Sequence, residues 1–226
     1  MLTGSTIVYQ CPKCGQLVLG QSILSVNDIK AKYYSDGRME GPYFCEQNSI
    51  TECPACSKVF WLDPKNQVDE FHEDYDRGDP QIANHYHSLG DWAPRLDIQG
   101  WRRAISEKVF GNLKEELFLQ KSLLWELNKY FLKHCEWESS EQLKLWEDTI
   151  QDLLLIIQPQ RPQEYLLKAE LQRNLGQFEQ ALESLDKITD QDYLAKAYQL
   201  HQRILAQDRW VFRFQVPSWL WFLDSE

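Results

Sequence analysis

The pattern of apolar and polar positions changes near residue 100. Before it, apolar residues come in short runs: residues 6–10, 16–19 and 58–62 read as strands, the last with β-branched and aromatic side chains. Residues 29–34 and 39–44 flank Ser35-Asp36-Gly37-Arg38, and an Asp-Gly pair between two such runs predicts a hairpin turn. From Trp101 onward the spacing is helical. Leu113, Leu117, Leu124, Leu127 and Phe131 recur at intervals of three, four or seven, as one face of a helix requires. Leu143, Trp146, Ile150, Leu153, Leu154 and Ile157 mark a second helix, opened by a cap at Glu138-Ser139-Ser140 and ended before Pro159. Further helices are predicted over 162–174, 178–188 and 192–206. The expectation is an α+β, multi-domain chain: a small β-rich module over 1–63, a connecting segment over 64–100 and a mostly helical domain over 101–226.

Chemistry concentrates in the first of these. Cys11-Pro12-Lys13-Cys14 and Cys53-Pro54-Ala55-Cys56 are two copies of one unit, separated by 38 residues. A tight turn lets both sulfurs of each C-x-x-C face one ion, and two turns complete the tetrahedral four-sulfur shell that zinc prefers. Proline restricts each turn, and Gly15 supplies the positive φ that closes the first. Cys11, Cys14, Cys53 and Cys56 are therefore the expected ligands of one structural Zn2+. Four thiolates leave no open position for substrate, so no catalytic residue is assigned. A redox dithiol and a pair of disulfides are the competing readings, and a thioredoxin-like unit would need one copy in a βαβ setting. Cys45 is a candidate substitute ligand or side-disulfide partner, with a semi-buried free thiol the favoured reading, and Cys135 is expected to be packed within a helix.

Residues 7–62 resemble a zinc ribbon, in which each knuckle heads a β-hairpin and the metal stands in for a hydrophobic core. The 38-residue gap exceeds the roughly 15 to 20 residues of a compact ribbon, so an inserted hairpin is expected between the knuckles.

The connecting segment shows no sustained periodicity. Asp69, Glu70, His72, Glu73, Asp74, Asp76, His85 and His87 offer oxygen and nitrogen donors for a second metal, but His85 and His87, at i and i+2, lack the i, i+4 geometry of a metalloprotease motif, and a solvated charge run explains the segment better. Phe71, Tyr75, Tyr86 and Trp92 predict that this segment lies against a surface.

In the helical part, residues 169–185 carry Ala169 and Ala181 where two antiparallel helices would cross, Gly176 at the turn between them, and Phe178 and Leu185 to fill the space. This stretch resembles a tetratricopeptide repeat. Residues 117–157 have the two-helix layout without the small-residue and glycine positions, and 192–206 would be a capping helix. The combination resembles bacterial proteins that join a zinc ribbon to such repeats, and the resemblance implies a protein or peptide partner; a compact helical scaffold is the alternative. Residues 210–222 are densely aromatic and too apolar to hang free. They are expected to pack on their own chain, with homodimer contact as the second possibility.

Charge narrows the partners. The chain of 226 residues carries a net −10, divided as −1 over 1–63, −5 over 64–100 and −4 over 101–226. With no basic segment, nucleic acid is not the expected partner. No apolar run reaches membrane-spanning length and the first residues lack a signal-peptide layout, so no membrane association and a cytoplasmic location are expected. Phosphate loops, nucleophile elbows and paired metalloprotease histidines are missing from the sequence. The function expected is that of a non-enzymatic, zinc-binding interaction module, the alternatives being a nucleic-acid-associated ribbon or a thiol-redox protein.

Overall fold

The computed structural model describes residues 2–25, 27–41, 48–71 and 90–215. It is α+β, with small antiparallel sheets followed by helices, and the chain forms two compact units. Unit 1 comprises residues 1–31 and 41–119, and unit 2 comprises 32–40 and 120–226.

In unit 1, β1 (Leu2–Gln10) lies between β2 (Leu17–Ser25) and β7 (Gln67–Phe71) in a three-stranded antiparallel sheet. Val8 faces Leu19 on one side and Asp69 on the other. The first knuckle is the turn joining β1 to β2. The second joins β5 (Ile50–Glu52) to β6 (Val59–Trp61). Strand alternation splits β6 between two cores: Phe60 packs with Tyr9, Val18 and Leu62, whereas Val59 and Trp61 pack with Ile50, Leu96, Ala104 and Leu119. Helix α1 (Ile98–Ser106) starts where the Asp97 carboxylate accepts the Gly100 N–H at 2.7 Å.

The segment read from the sequence as a connector thus contributes β7 and the start of α1. Residues 91–93 also add to the free edge of β2, with the Leu19 N–H donating to Asp91 O at 2.9 Å and the Ala93 N–H to Leu19 O at 2.8 Å. Periodicity misses these pieces because each is short and takes its register from β1 or β2.

Helix α2 (Leu113–His134) begins in unit 1, and from Gln120 its residues belong to unit 2. There follow α3 (Ser140–Ile156), α4 (Pro162–Asn174), α5 (Phe178–Leu185) and α6 (Gln191–Leu205). Ser139 caps α3, its Oγ accepting the Gln142 N–H at 3.2 Å. Ala169 and Ala181 are fully buried in one cluster with Leu185, Leu200 and Ile204, and Gly176 turns α4 into α5 at φ +75°.

The hairpin β3 (Lys32–Tyr33) and β4 (Met39–Glu40) forms as expected, but it belongs to unit 2 and not to the unit that carries the two C-x-x-C knuckles. Its loop is closed by the Tyr34 N–H on Arg38 O at 2.9 Å, with Gly37 at φ +79°. The physical reason is the polar tip. Ser35, Asp36 and Arg38 are buried: Asn128 donates to Asp36 Oδ2 at 2.8 Å, Trp125 Nε1–H donates to Asp36 O at 3.0 Å, and Ser35 Oγ–H donates to Glu170 Oε1 at 2.7 Å. Glu170 is paired in turn with Arg173 through bonds of 2.8 and 2.9 Å. Burial pushes the Asp36 and Glu170 carboxyls above their ordinary values, against the pull of Arg38 and Arg173.

The C-terminal segment packs on its own chain as far as residue 215. Ser35 N–H donates to Phe212 O at 2.9 Å and Phe214 N–H to Tyr33 O at 2.8 Å, extending the hairpin. Val211 and Phe214 are buried, and Trp210 stacks on Phe131 with ring centroids 4.5 Å apart. Residues 216–222 lie outside the described residues.

Candidate metal centre

Each knuckle is built by the same two backbone bonds. Cys11 N–H donates to Gln16 O at 2.8 Å and Gly15 N–H to Cys11 O at 3.0 Å; in the second, Cys53 N–H donates to Lys58 O and Ser57 N–H to Cys53 O, both at 2.9 Å. The residue after the second cysteine takes positive φ in both, +79° at Gly15 and +55° at Ser57. The glycine is legible in the sequence; the serine is not, because its side chain gives no signal for that conformation.

These turns aim four sulfurs at one point. All four Sγ atoms lie within 4.8 Å of one another, with Cys11 to Cys56 at 3.7 Å and Cys14 to Cys53 at 3.5 Å. Metal–sulfur bonds of roughly 2.3 Å in a tetrahedron place sulfurs about 3.8 Å apart, whereas a disulfide requires about 2.05 Å. All four are free cysteines at metal-ligand spacing. Cys11 and Cys53 are buried in the core with Val18 and Phe60, while Cys14 is exposed and Cys56 partly so. One ligand of each knuckle is therefore anchored by packing and the other faces outward.

The electrostatics of the bare thiols show the conflict that a cation would relieve. At Cys56 the Lys58 N–H, and then the other three cysteines, draw the pKa down to about 7. At Cys14 the Gln16 N–H pulls the same way, but the Cys56 sulfur and then the other neighbouring sulfurs prevail and push it up to about 12. Closely spaced sulfurs resist ionising together, and a divalent ion held among them would supply the positive charge that lets all four do so.

The surroundings brace the second knuckle. Arg103 on α1 donates to Glu52 Oε1 at 2.6 Å and to Ser57 O at 3.3 Å, and Lys58 pairs with Glu107 at 3.0 Å. Sequence spacing gave no hint of these contacts, which join residues about 50 positions apart.

Among the described residues no other His, Cys, Asp and Glu group has metal-ligand spacing. Asp69 and Glu70 are exposed on β7. Cys45, His72, Glu73, Asp74, Asp76, His85 and His87 lie outside the described residues. Cys135 differs from expectation: it is exposed, one residue past the end of α2 at φ +58°, because the helix stops before it. Among the described residues, no helix is long and apolar enough to cross a membrane.

No family model, curated protein or solved structure matches the chain.

Proposed function

We propose that Cys11, Cys14, Cys53 and Cys56 hold one structural zinc ion and that the protein is a non-enzymatic interaction module. The carrying observation is the convergence of four free sulfurs, from two turns with the same backbone hydrogen bonds, within 4.8 Å. Four sulfur donors close a tetrahedral shell, so zinc here would staple the β1–β2 turn to the β5–β6 turn without binding substrate. The test is metal analysis of protein purified without added metal, with thiol titration before and after chelation. One zinc per chain and four thiols released by chelator are expected. Oxidised cysteines without metal would overturn the assignment, and the visible absorption of an iron–thiolate centre would replace zinc by iron.

The interaction role rests on α6. Leu194, Tyr198 and Leu205 are 47%, 66% and 60% exposed, and their spacing of four and seven puts them on one stripe of that helix. An outward apolar stripe beside buried Ala197, Leu200 and Ile204 gives α6 two apolar faces, as a helix needs when it serves both a core and a protein partner. A photo-crosslinking residue at position 198 is expected to yield discrete protein adducts that the same probe at exposed Glu183 does not. Identical adduct patterns from the two positions would sink this part of the reading.

A further inference from the structure

Unit 2 contains a pocket of about 160 Å³ bounded by the β3–β4 hairpin, α4, α6 and the C-terminal segment. Its lining is largely apolar and aromatic: Leu166, Leu167, Phe214, Tyr33 and Tyr193 contribute. It also includes two cationic residues, Arg38 and Lys196, and no acidic one, in a chain whose net charge is −10.

Lys196 is the available charge. Its Nζ lies 4.7 Å from the Tyr33 ring centroid and 5.8 Å from that of Tyr193, and among the described residues no carboxylate pairs with it. Burial holds its pKa below the usual lysine value, the sign of an ammonium short of counter-charge. Arg38 is differently placed. It is 4% exposed, its guanidinium lies over the Tyr34 ring at 4.0 Å, and Nη1 is bonded to Glu40. Its Nε also lies 3.9 Å from Asp36 Oδ2, so its charge is matched within the hairpin and Lys196 is the cation left for a ligand.

We propose that this pocket binds a small aromatic carboxylate, its ring among Leu166, Leu167, Phe214 and Tyr193 and its carboxylate on the Lys196 ammonium. Size supports one ring, because an apolar cavity of about 150 Å³ accommodates benzene. The leucine and aromatic side chains of the lining favour a ring over a hydrated ion. A single accessible cation matches one negative charge, whereas a phosphate dianion calls for a cluster of donors.

Benzoate is the probe, titrated into the full-length protein and followed by backbone amide chemical shifts. One site per chain is expected, with the largest shifts at residues lining the pocket. Benzamide keeps the ring and removes the charge, and should bind about tenfold more weakly or worse. Lys196→Met retains the aliphatic stem and should weaken benzoate by a similar factor while leaving benzamide unaffected. Lys187→Met, at an exposed position outside the pocket, should change neither. Equimolar inorganic phosphate should not displace benzoate. The proposal is overturned by equal affinity for benzoate and benzamide, by full benzoate affinity in Lys196→Met, by displacement with phosphate, or by an absence of shifts at millimolar benzoate.

Discussion

In unit 1, Cys11 Sγ and Cys56 Sγ, 45 residues apart in the chain, meet at 3.7 Å; in unit 2, Ser35 Oγ and Glu170 Oε1, 135 residues apart, meet at 2.7 Å. Each contact lies at the tip of a hairpin and gathers distant segments around a polar centre. The chemistry differs. Four thiols offer a site that only an added cation completes, whereas Asp36 and Glu170 sit with Arg38 and Arg173 supplied by the chain itself. A tetrathiolate site would therefore make its unit conditional on an external ion. A buried ion-pair network makes its unit conditional on every one of its own members.

The largest effect should come from removing that condition in unit 1. Cys53→Ser, or chelation of the native protein, is expected to abolish metal binding and amide protection in β1, β2, β5 and β6, because small thiolate-stapled modules fold with their metal. Helical circular dichroism from α3 to α6 should survive. Collapse of the helical signal together with the strands would remove the distinction between the units and make the chain one cooperative body.

In unit 2 the corresponding lesion is Arg173→Met. Arg173 has no exposed surface; besides Glu170 it donates to Trp210 O at 2.8 Å and contacts Asp208 O. Its loss leaves the Glu170 carboxylate buried without its main partner, at a cost of about 3 to 5 kcal/mol. Urea unfolding followed at 222 nm measures this. A second substitution, Glu170→Leu, should recover much of the loss by removing the stranded charge, since a packed apolar pair often equals a buried ion pair. Full stability of Arg173→Met alone would show that the network contributes little to unit 2.

The same contrast explains what the sequence revealed. The metal site was legible because ligand chemistry is local: C-x-x-C fixes two donors within four residues, and repetition supplies the other two. The helices were legible through Leu113 to Phe131 and the Ser139 cap, with boundaries close to those found. The hairpin turn at Asp36-Gly37 was legible, but its destination was not. Asp36 finds Asn128 92 residues away, and Ser35 accepts the Phe212 N–H across 177 residues; no spacing rule encodes such partners. The short β7 and the edge at residues 91–93 escaped notice for a related reason, since their pairing comes from β1 and β2 and not from their own pattern.

Acidification should separate the units by sign. Asp36 and Glu170 have folded pKa values above their ordinary 3.8 and 4.5, so folded unit 2 takes up protons more readily than the unfolded chain. The stability they contribute is fully present below those ordinary values and is lost as pH rises through the raised ones. From neutral pH toward about pH 5, unit 2 should therefore gain stability, and Glu170→Gln should flatten the trend. Metal binding by thiolates runs the other way, because acid protonates the ligands and releases the ion. Parallel melts with a chelator-release assay test the opposition, which fails if the 222 nm transition weakens in step with metal loss.

The smallest expected effects concern backbone conformation, where the two units can be compared at single residues. Gly37 in the hairpin and Gly15 in the first knuckle both sit at φ +79°, whereas the second knuckle holds Ser57 at +55°. A Cβ at Gly37 meets no atom within 4 Å, so Gly37→Ala isolates the left-handed backbone cost, about 1 to 2 kcal/mol, in the unit 2 melt. A Cβ at Gly15 makes only ordinary contact with Gln10 Nε2 at 3.6 Å. Gly15→Ser should therefore reproduce the Ser57 arrangement and weaken metal binding by about tenfold or less in a chelator competition. Ser57→Gly relieves the same strain but frees the unfolded chain by roughly 0.5 to 1 kcal/mol, so its gain should be small. A much larger loss in Gly15→Ser would mean that the first knuckle tolerates less than the second. The bracing of the second turn by Arg103, which donates to Ser57 O, would then account for the tolerance of serine there, because an external bond holds the conformation that glycine otherwise adopts freely.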